Sequence, residues 1–233
     1  LLDESGMIVA FKGLIAMNEP FIRNHQYNCI RDQAESVLKT LRTVNDPMIV
    51  ESVRSGAQAK IAELFTGLTD YRKALLESIA VMKTADDFQS YLKALEPYRV
   101  AFPWITEQQL RKLFPKNKKL KLPDFAQIDL RRVTYLSWID IQTNKMYIVY
   151  EADGQFVGVE GRYTDTNMKN YCFACNRYEE LVFFSAISKQ RPADATSDYY
   201  KSVGNYICLN GHDCNKNITD VSSLERFIAS VTE

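Results

Sequence analysis

Four cysteines in the last third of the chain have the spacing of a metal site. Cys172 and Cys175 form a C-x-x-C pair, and Cys208 and Cys214 follow as C-x5-C. A C-x-x-C turn holds two thiolates on one side, at about the separation of two corners of a zinc tetrahedron. The second pair must supply the other two corners. Because four thiolates leave no open position for water or substrate, we expect one structural Zn²⁺ ion rather than a catalytic one.

A disulfide framework is the competing interpretation of these cysteines, and it requires an oxidising compartment. The apolar run at residues 7–17 lacks a basic leader and contains Lys12, which is atypical of a secretory signal. No apolar run reaches the roughly 20 residues of a membrane span. We therefore expect a cytoplasmic protein without membrane contact, in which clustered cysteines bind metal.

The sequence offers little that is typical of catalytic sites. It contains two histidines, His25 and His212, and lacks an H-E-x-x-H motif, a nucleophile elbow and a Gly-rich phosphate loop. Asp140 and Glu151 fall on neighbouring predicted strands, where we expect exposed charges. The sequence therefore predicts a protein that is not an enzyme.

The charges balance, with 29 basic and 29 acidic residues, so no global attraction to nucleic acid or membrane is expected. Residues 111–121, the basic segment, depart from this balance because they contain six basic residues and no acidic one. This segment either contacts ribosomal RNA or an acidic protein surface, or is a solvated linker face. Its basic residues are Arg111, Lys112, Lys116, Lys118, Lys119 and Lys121.

The first half of the chain has the periodicity of amphipathic helices. Apolar residues recur at helical spacing over residues 30–44. Four such helices with short loops predict a helical bundle over residues 17–98. The starts of the later three carry capping residues, namely Asp46 before Pro47, Thr69, and Thr84 with Asp87.

Residues 1–16 differ in character from the chain that follows and end just before Met17. We expect them to be a vector-derived or disordered segment, with the natural protein starting at Met17.

After Pro123 the apolar pattern changes from helical to alternating, which indicates strands. A turn at Asp153-Gly154 joins two of them. The order of C-x-x-C turn, hairpin, second cysteine pair and helix is that of a treble-clef zinc finger.

We therefore predict an α+β protein, in which the helical bundle is followed by a mixed α/β domain over residues 99–233. This domain ends in a four-cysteine treble-clef finger with its ligands within 172–214. The predicted strands are 133–141, 145–151, 155–162, 181–187 and 206–209, and the last helix is 223–231.

Several short motifs together resemble one known family. From about residue 25 to the C-terminus, the chain is similar to the FusB-type elongation factor G-binding proteins, which confer resistance to fusidic acid and are in places labelled fibronectin-binding. The motifs are His25-Gln26-Tyr27-Asn28, Thr43-Val44-Asn45-Asp46, the basic run into Leu122-Pro123, residues 147–150, Cys172-Phe173-Ala174-Cys175-Asn176, Tyr206-Ile207-Cys208, and Cys214-Asn215-Lys216.

The resemblance implies that the C-terminal domain binds elongation factor G and promotes its release from a drug-stalled ribosome, with the four cysteines as zinc ligands. It also implies a contact surface that includes Tyr171, Tyr206 and Phe227. One position departs from the family, since the lysine expected three residues before Tyr206 is Val203 here, and Lys201 is the nearest replacement. We expect the protein to be monomeric.

Two other functions compete with this one. A zinc-dependent RNA- or ribosome-binding protein would use Lys116, Lys118, Lys119 and Lys121 to contact phosphates. An extracellular fibronectin-binding adhesin conflicts with the thiol-rich site and with the missing secretory pattern.

Overall fold

The computed structural model describes residues 19–190, 192, 196 and 199–232. The predicted vector-derived or disordered segment, residues 1–16 with Met17 after it, lies outside the described residues. The chain divides into two compact units, Leu1–Val100 and Ala101–Glu233.

Four α-helices lie in the described residues of the first unit, and capping residues mark the starts of the later three as the sequence predicts. The Asp46 carboxylate accepts a hydrogen bond from the Met48 N–H at 2.8 Å. Thr84 and Asp87 form a reciprocal capping box, because each side chain accepts a hydrogen bond from the other residue's backbone N–H. The helices are α1 Asn24–Thr43, α2 Pro47–Glu63, α3 Asp70–Glu77 and α4 Ala85–Leu95, with 3-10 turns at Ser78–Val81 and Glu96–Tyr98.

A buried arginine closes the first unit at its C-terminal end. The Arg99 guanidinium donates to both carboxylate oxygens of Glu96, at 3.1 and 3.3 Å, and to the Asn24 amide oxygen at 2.7 Å. It also lies 4.1 Å from the centre of the Tyr27 ring. A buried charge needs such partners, and these ones tie the last residues of the unit to the start of α1.

The second unit is built on a five-stranded antiparallel sheet in the order β1-β2-β3-β4-β5. A short helix, α5, precedes the sheet, and two helices, α6 and α7, follow it. The strands are β1 Leu136–Asp140, β2 Lys145–Ala152, β3 Gln155–Tyr171, β4 Tyr178–Ile187 and β5 Ser202–Cys208; the helices are α5 Glu107–Leu113, α6 Gly211–Asn217 and α7 Ser222–Thr232.

Both faces of the sheet are covered, as the alternation along β2 shows. Met146, Ile148 and Tyr150 belong to an apolar cluster that contains the cysteines and α7. Tyr147 and Val149 point the other way and join a cluster with α5. The predicted α+β class, with helices followed by a sheet domain, is confirmed.

The sequence prediction was wrong about the length of the third strand. It ended that strand at Arg162, but β3 continues to Tyr171 because it pairs with β4 up to Tyr178. Residues 163–171 are mostly polar and exposed, and the register shifts between Asp165 and Met168, so no clean alternation marks this half.

Two further expectations need correction. The sequence did not predict α6, because its seven residues, most of them polar, are too few to show a helical period. Asp140, expected to be an exposed charge, is buried; its carboxylate accepts from the Gln142 N–H at 3.1 Å and the Thr143 hydroxyl at 2.8 Å. It therefore caps the turn between β1 and β2.

Replacing Gly161 with alanine is expected to destabilise the second unit by about 1–3 kcal/mol, because the added Cβ would collide with the Ser185 carbonyl oxygen and the Phe184 ring. Chemical denaturation followed by tryptophan fluorescence measures this effect, since both tryptophans, Trp104 and Trp138, lie in that unit.

Gly56→Ala is the matched control. Gly56 lies inside α2 with open space around its Cα, so alanine there removes no contact and should stabilise only its own helix. The fluorescence transition should stay unchanged, because both tryptophans lie in the second unit. An unaltered transition in Gly161→Ala would contradict the close approach of β3 and β4.

Candidate metal centre

The four cysteines converge from three separate elements. Cys172 follows the last residue of β3, Cys175 lies in the turn to β4, Cys208 ends β5, and Cys214 lies in α6. All four are buried, and their sulfur atoms lie within 4.8 Å of one another. The structure thus brings together every residue that the sequence predicts as a metal ligand.

The sulfur spacing fits a tetrahedral zinc ion. The Cys172 and Cys214 sulfurs are 3.8 Å apart, and those of Cys175 and Cys208 are 3.6 Å apart. Zinc–sulfur bonds of about 2.3 Å arranged as a tetrahedron place sulfurs about 3.8 Å apart. A disulfide requires about 2.05 Å, and all four cysteines are free thiols.

The C-x-x-C turn is shaped by its own backbone. Asn176 adopts a left-handed conformation with φ of 52°, and its N–H donates to the Cys172 carbonyl at 2.9 Å. The Cys172 N–H donates to the Arg177 carbonyl at 3.0 Å. The Ala174 N–H donates to the Cys172 sulfur at 3.4 Å, which favours the thiolate form of that ligand.

Asn215, which the sequence did not single out as a site residue, clamps the helix that carries Cys214. Its amide oxygen accepts from the N–H groups of Thr134 and Tyr135, at 2.6 and 3.1 Å. Its amide nitrogen donates to the carbonyls of Tyr135 at 2.8 Å and Gly211 at 2.9 Å. The only sequence signal for this role was its position directly after a cysteine. These bonds hold α6 against the segment that leads into β1.

The thiols influence one another's protonation. Hydrogen bonding from Cys175 lowers the pKa of the Cys172 thiol, and hydrogen bonding to Cys172 raises the pKa of the Cys208 thiol. Without metal, the four thiols therefore titrate as one coupled group. A bound cation displaces the remaining protons and takes their place.

The three aromatic positions expected at a contact surface have different surroundings. Tyr171 is 63% exposed and packs edge-to-face with Tyr178, the residue opposite it on β4. Tyr206 is 44% exposed and packs edge-to-face with Phe183 at 5.3 Å. Because Tyr178 and Phe183 are five residues apart on one strand, alternation places these two pairs on opposite faces of β4.

Phe227 corrects the third of these expectations. It is only 3% exposed, and its ring packs at 5.3 Å from Phe173 and 5.7 Å from Phe184. Phe227 lies on the apolar face of α7, and this amphipathic helix packs that face against the sheet. Phe227 is therefore a core residue and not part of an exposed surface.

The departure at Val203 also has a structural reading. Val203 pairs with Ala186 and packs against the cysteine-containing core. Because it lies three residues before Tyr206 on β5, its side chain is on the opposite face of the sheet. Lys201 is exposed just before β5, and its ammonium group donates to the Gln190 side-chain oxygen at 3.1 Å.

All six cationic side chains of the basic segment are exposed. Arg111 pairs with Glu107 at 2.7 Å, whereas within the described part of the chain the five lysines form no ion pair. Two hydrogen bonds attach the segment to the sheet. The Trp138 indole N–H donates to the Lys121 carbonyl at 2.8 Å, and the Asn117 side chain donates to the Glu160 carboxylate.

Among the helices that the structure describes, none combines the length and apolar character needed to cross a membrane.

Comparison with known proteins agrees with this geometry. A family model for the elongation factor G-binding protein N-terminal region matches residues 21–103, and a model for the FBP C-terminal treble-clef zinc-finger matches residues 114–230. The solved structure of the fusidic acid resistance protein FusC is similar with a TM-score of 0.74 and 27% identity, over 92% of this chain and 98% of that chain. No curated protein sequence matches. The predicted treble-clef finger and its structural zinc ion are thus confirmed.

Purified protein should contain one zinc ion per chain by elemental analysis. Removing it with a strong chelator should unfold the finger, because structural zinc contributes about 10–16 kcal/mol of apparent binding energy in small fingers. Thermal unfolding with and without chelator measures the loss.

Cys175→Ser should reproduce the effect of the chelator, whereas Cys29→Ser should retain zinc, because Cys29 lies in α1 and outside the sulfur cluster. Metal-free protein with an unaltered thermal transition would refute the structural role of the ion.

Phe227→Ala is expected to destabilise the second unit by about 3–5 kcal/mol, because it deletes a buried ring from the core. The tryptophan-fluorescence transition in denaturant measures this change. A fully stable variant would show that Phe227 does not pack as described.

Proposed function

This chain belongs to the FusB-type family of elongation factor G-binding proteins, and from that premise we propose that it binds elongation factor G through its C-terminal unit. Binding promotes release of the factor from the ribosome and thereby protects translation from fusidic acid. The observation that carries the proposal is an exposed aromatic pair, Tyr206 and Phe183, on strands that are fixed by the zinc site.

The aromatic pair is held in place by its strands. Phe183 and Tyr206 lie directly opposite each other on β4 and β5. The Phe183 ring lies over Gly204, and a Cβ at that position would clash with the ring. Glycine at this position therefore provides the space in which the two rings lie edge to face.

The metal site stiffens the same strand. The Tyr206 carbonyl accepts a hydrogen bond of 2.9 Å from the N–H of Phe173, which lies between the first two cysteines. Cys208, the third ligand, follows Tyr206 by two residues. Rings held on so rigid a support lose little conformational entropy on binding, and aromatic side chains of this kind are the usual anchors of protein interfaces.

Release of a stalled factor requires no covalent chemistry on this account. A ligand that binds one conformation of its partner more tightly shifts the partner toward that conformation. We propose that this chain acts in the cytoplasm as a monomeric binding protein, not as an enzyme, and favours a conformation of elongation factor G that the ribosome holds weakly.

Tyr206→Ala and Phe183→Ala should each weaken the affinity for elongation factor G by about 30-fold, the loss that corresponds to a hot spot of about 2 kcal/mol. Calorimetric titration measures the affinity, and thermal unfolding verifies that each variant is folded.

Trp104→Ala is the matched control, because Trp104 is another exposed aromatic residue with a single ring neighbour, Phe125. It should bind elongation factor G like the wild type. Unchanged affinity in both the Tyr206 and the Phe183 variants would exclude this surface.

The mechanism has its own test. Wild-type protein should release elongation factor G from ribosomes stalled by fusidic acid, as measured by pelleting the ribosomes, and Tyr206→Ala should release less at equal concentration. If the wild type binds the factor and does not release it, the binding proposal survives and the release proposal fails.

A second candidate function is supported by the exposure of the basic segment. Lys116, Lys118, Lys119 and Lys121 are exposed and without ion pairs in the described chain, on a segment anchored by Trp138. Ribosomal RNA is the partner that this chemistry fits, because ammonium groups neutralise backbone phosphates.

Changing these four lysines to glutamine should make RNA binding less dependent on salt. Each phosphate contact contributes about 0.7 to the slope of log affinity against log salt concentration, so the slope should fall in magnitude by about 3. Filter binding to ribosomal RNA fragments at several salt concentrations measures the slope. Capture of elongation factor G in high salt should also be compared between this variant and the wild type. If both capture it equally well, the basic segment takes no part in factor binding.

A further inference from the structure

Tyr135 is a fully buried tyrosine whose hydroxyl lacks a conventional partner. Its exposed fraction is zero, and its hydroxyl forms no hydrogen bond within the described chain. The ring packs in the apolar cluster that contains all four cysteines. Besides burial, the groups close enough to act on this hydroxyl are the sulfur atoms of Cys214, Cys172 and Cys208. The hydroxyl is therefore directed toward the sulfur cluster.

The position of Tyr135 is fixed through its backbone. The Asn215 side chain bonds both its N–H and its carbonyl, at 3.1 and 2.8 Å. Asn215 is the residue after Cys214, so the same clamp that sets the position of the tyrosine also sets that of the ligand. Nearby, α6 starts so close to β1 that a Cβ on Gly211 would collide with the Ser137 hydroxyl. The tyrosine and the helix cannot separate without breaking these contacts.

We propose that Tyr135 is a positioning residue of the metal centre, whose hydroxyl donates a hydrogen bond to the Cys214 thiolate when the zinc site is formed. A tyrosine hydroxyl ordinarily has a pKa of about 10, so at neutral pH it keeps its proton and can donate. It does for Cys214 what the Ala174 N–H does for Cys172.

The chemical consequence follows from the charge on a four-thiolate centre. Four thiolates around a divalent ion carry an excess of negative charge in a buried site, and each hydrogen bond to sulfur withdraws part of it. A thiolate without such a bond is more nucleophilic and easier to oxidise or alkylate. The proposed bond thus protects Cys214 and orients it toward the metal.

Tyr135→Phe tests the proposal because it removes only the hydroxyl. Loss of a group that supports a metal ligand typically weakens metal binding by about 10-fold or more, and we expect such a loss in competition titration with a zinc chelator. In the cobalt-substituted protein, the sulfur-to-metal charge-transfer band should move to lower energy. Alkylation of the zinc-loaded variant, mapped by peptide mass spectrometry, should accelerate at Cys214 more than at the other three ligands.

Tyr150→Phe is the matched control, because Tyr150 belongs to the same apolar cluster but its hydroxyl donates to Glu225 at 2.6 Å. It should leave the cobalt spectrum and the alkylation pattern unchanged. If Tyr135→Phe lowers the stability with no change in spectrum or in Cys214 reactivity, the residue only fills space and the proposal is overturned.

A measurement on the unsubstituted protein decides the matter if Tyr135→Phe does not fold. In protein loaded with a spin-active cadmium isotope, the Tyr135 hydroxyl proton should show scalar coupling to the metal through the sulfur. A slowly exchanging hydroxyl proton without that coupling would rule out the hydrogen bond. Neither experiment involves elongation factor G, so its result is independent of the proposed partner.

Discussion

The convergence of four thiolates on one zinc ion is the constraint on which the second unit depends. The ligands come from the turn between β3 and β4, the end of β5 and α6, and they are separated by up to 42 residues in sequence. The ion joins these segments at one point and fixes the second half of β3, whose side chains are mostly exposed. Proton release from the thiols is part of this step, so metal binding and folding of the finger are one event.

The metal explains how β3 can extend so far. Its second half, residues 163–171, is mostly exposed and interrupted by a register shift, so apolar burial alone would hold it weakly. At its far end the pair Tyr171 and Tyr178 is followed at once by the first zinc ligand. The strand is thus fixed by the body of the sheet at one end and by the metal at the other, where Tyr171 and Tyr178 remain exposed.

Exposed and buried aromatic residues have separate tasks in this unit. Phe227 of α7 packs against Phe184 of the sheet, which fixes the helix, while Tyr206 and Phe183 pair on the other face of the sheet. A partner that contacts the second pair meets a surface backed by a filled core and by the hydrogen bond from Phe173. The same hydrogen-bonded turn that positions the metal therefore supports the proposed recognition surface.

The sequence by itself determined the class of the protein and the ligands of its metal. Its evidence was local: the C-x-x-C pair, the capping residues of the first helices, and the change from helical to alternating periodicity. Local patterns of this kind can be recognised without knowledge of the fold. Exposure is different, because it depends on which face of a strand or helix meets the core. For Phe227 the helical period of α7 already favoured the core, against the contact role that the resemblance implied, and the structure places it there. Only the tertiary structure set Val203 on the face away from Tyr206, extended β3 through pairing with β4, and brought Tyr135 and Asn215 to the ligand on α6. Each of these rests on contacts between residues distant in sequence, and neither periodicity nor motif spacing encodes such contacts.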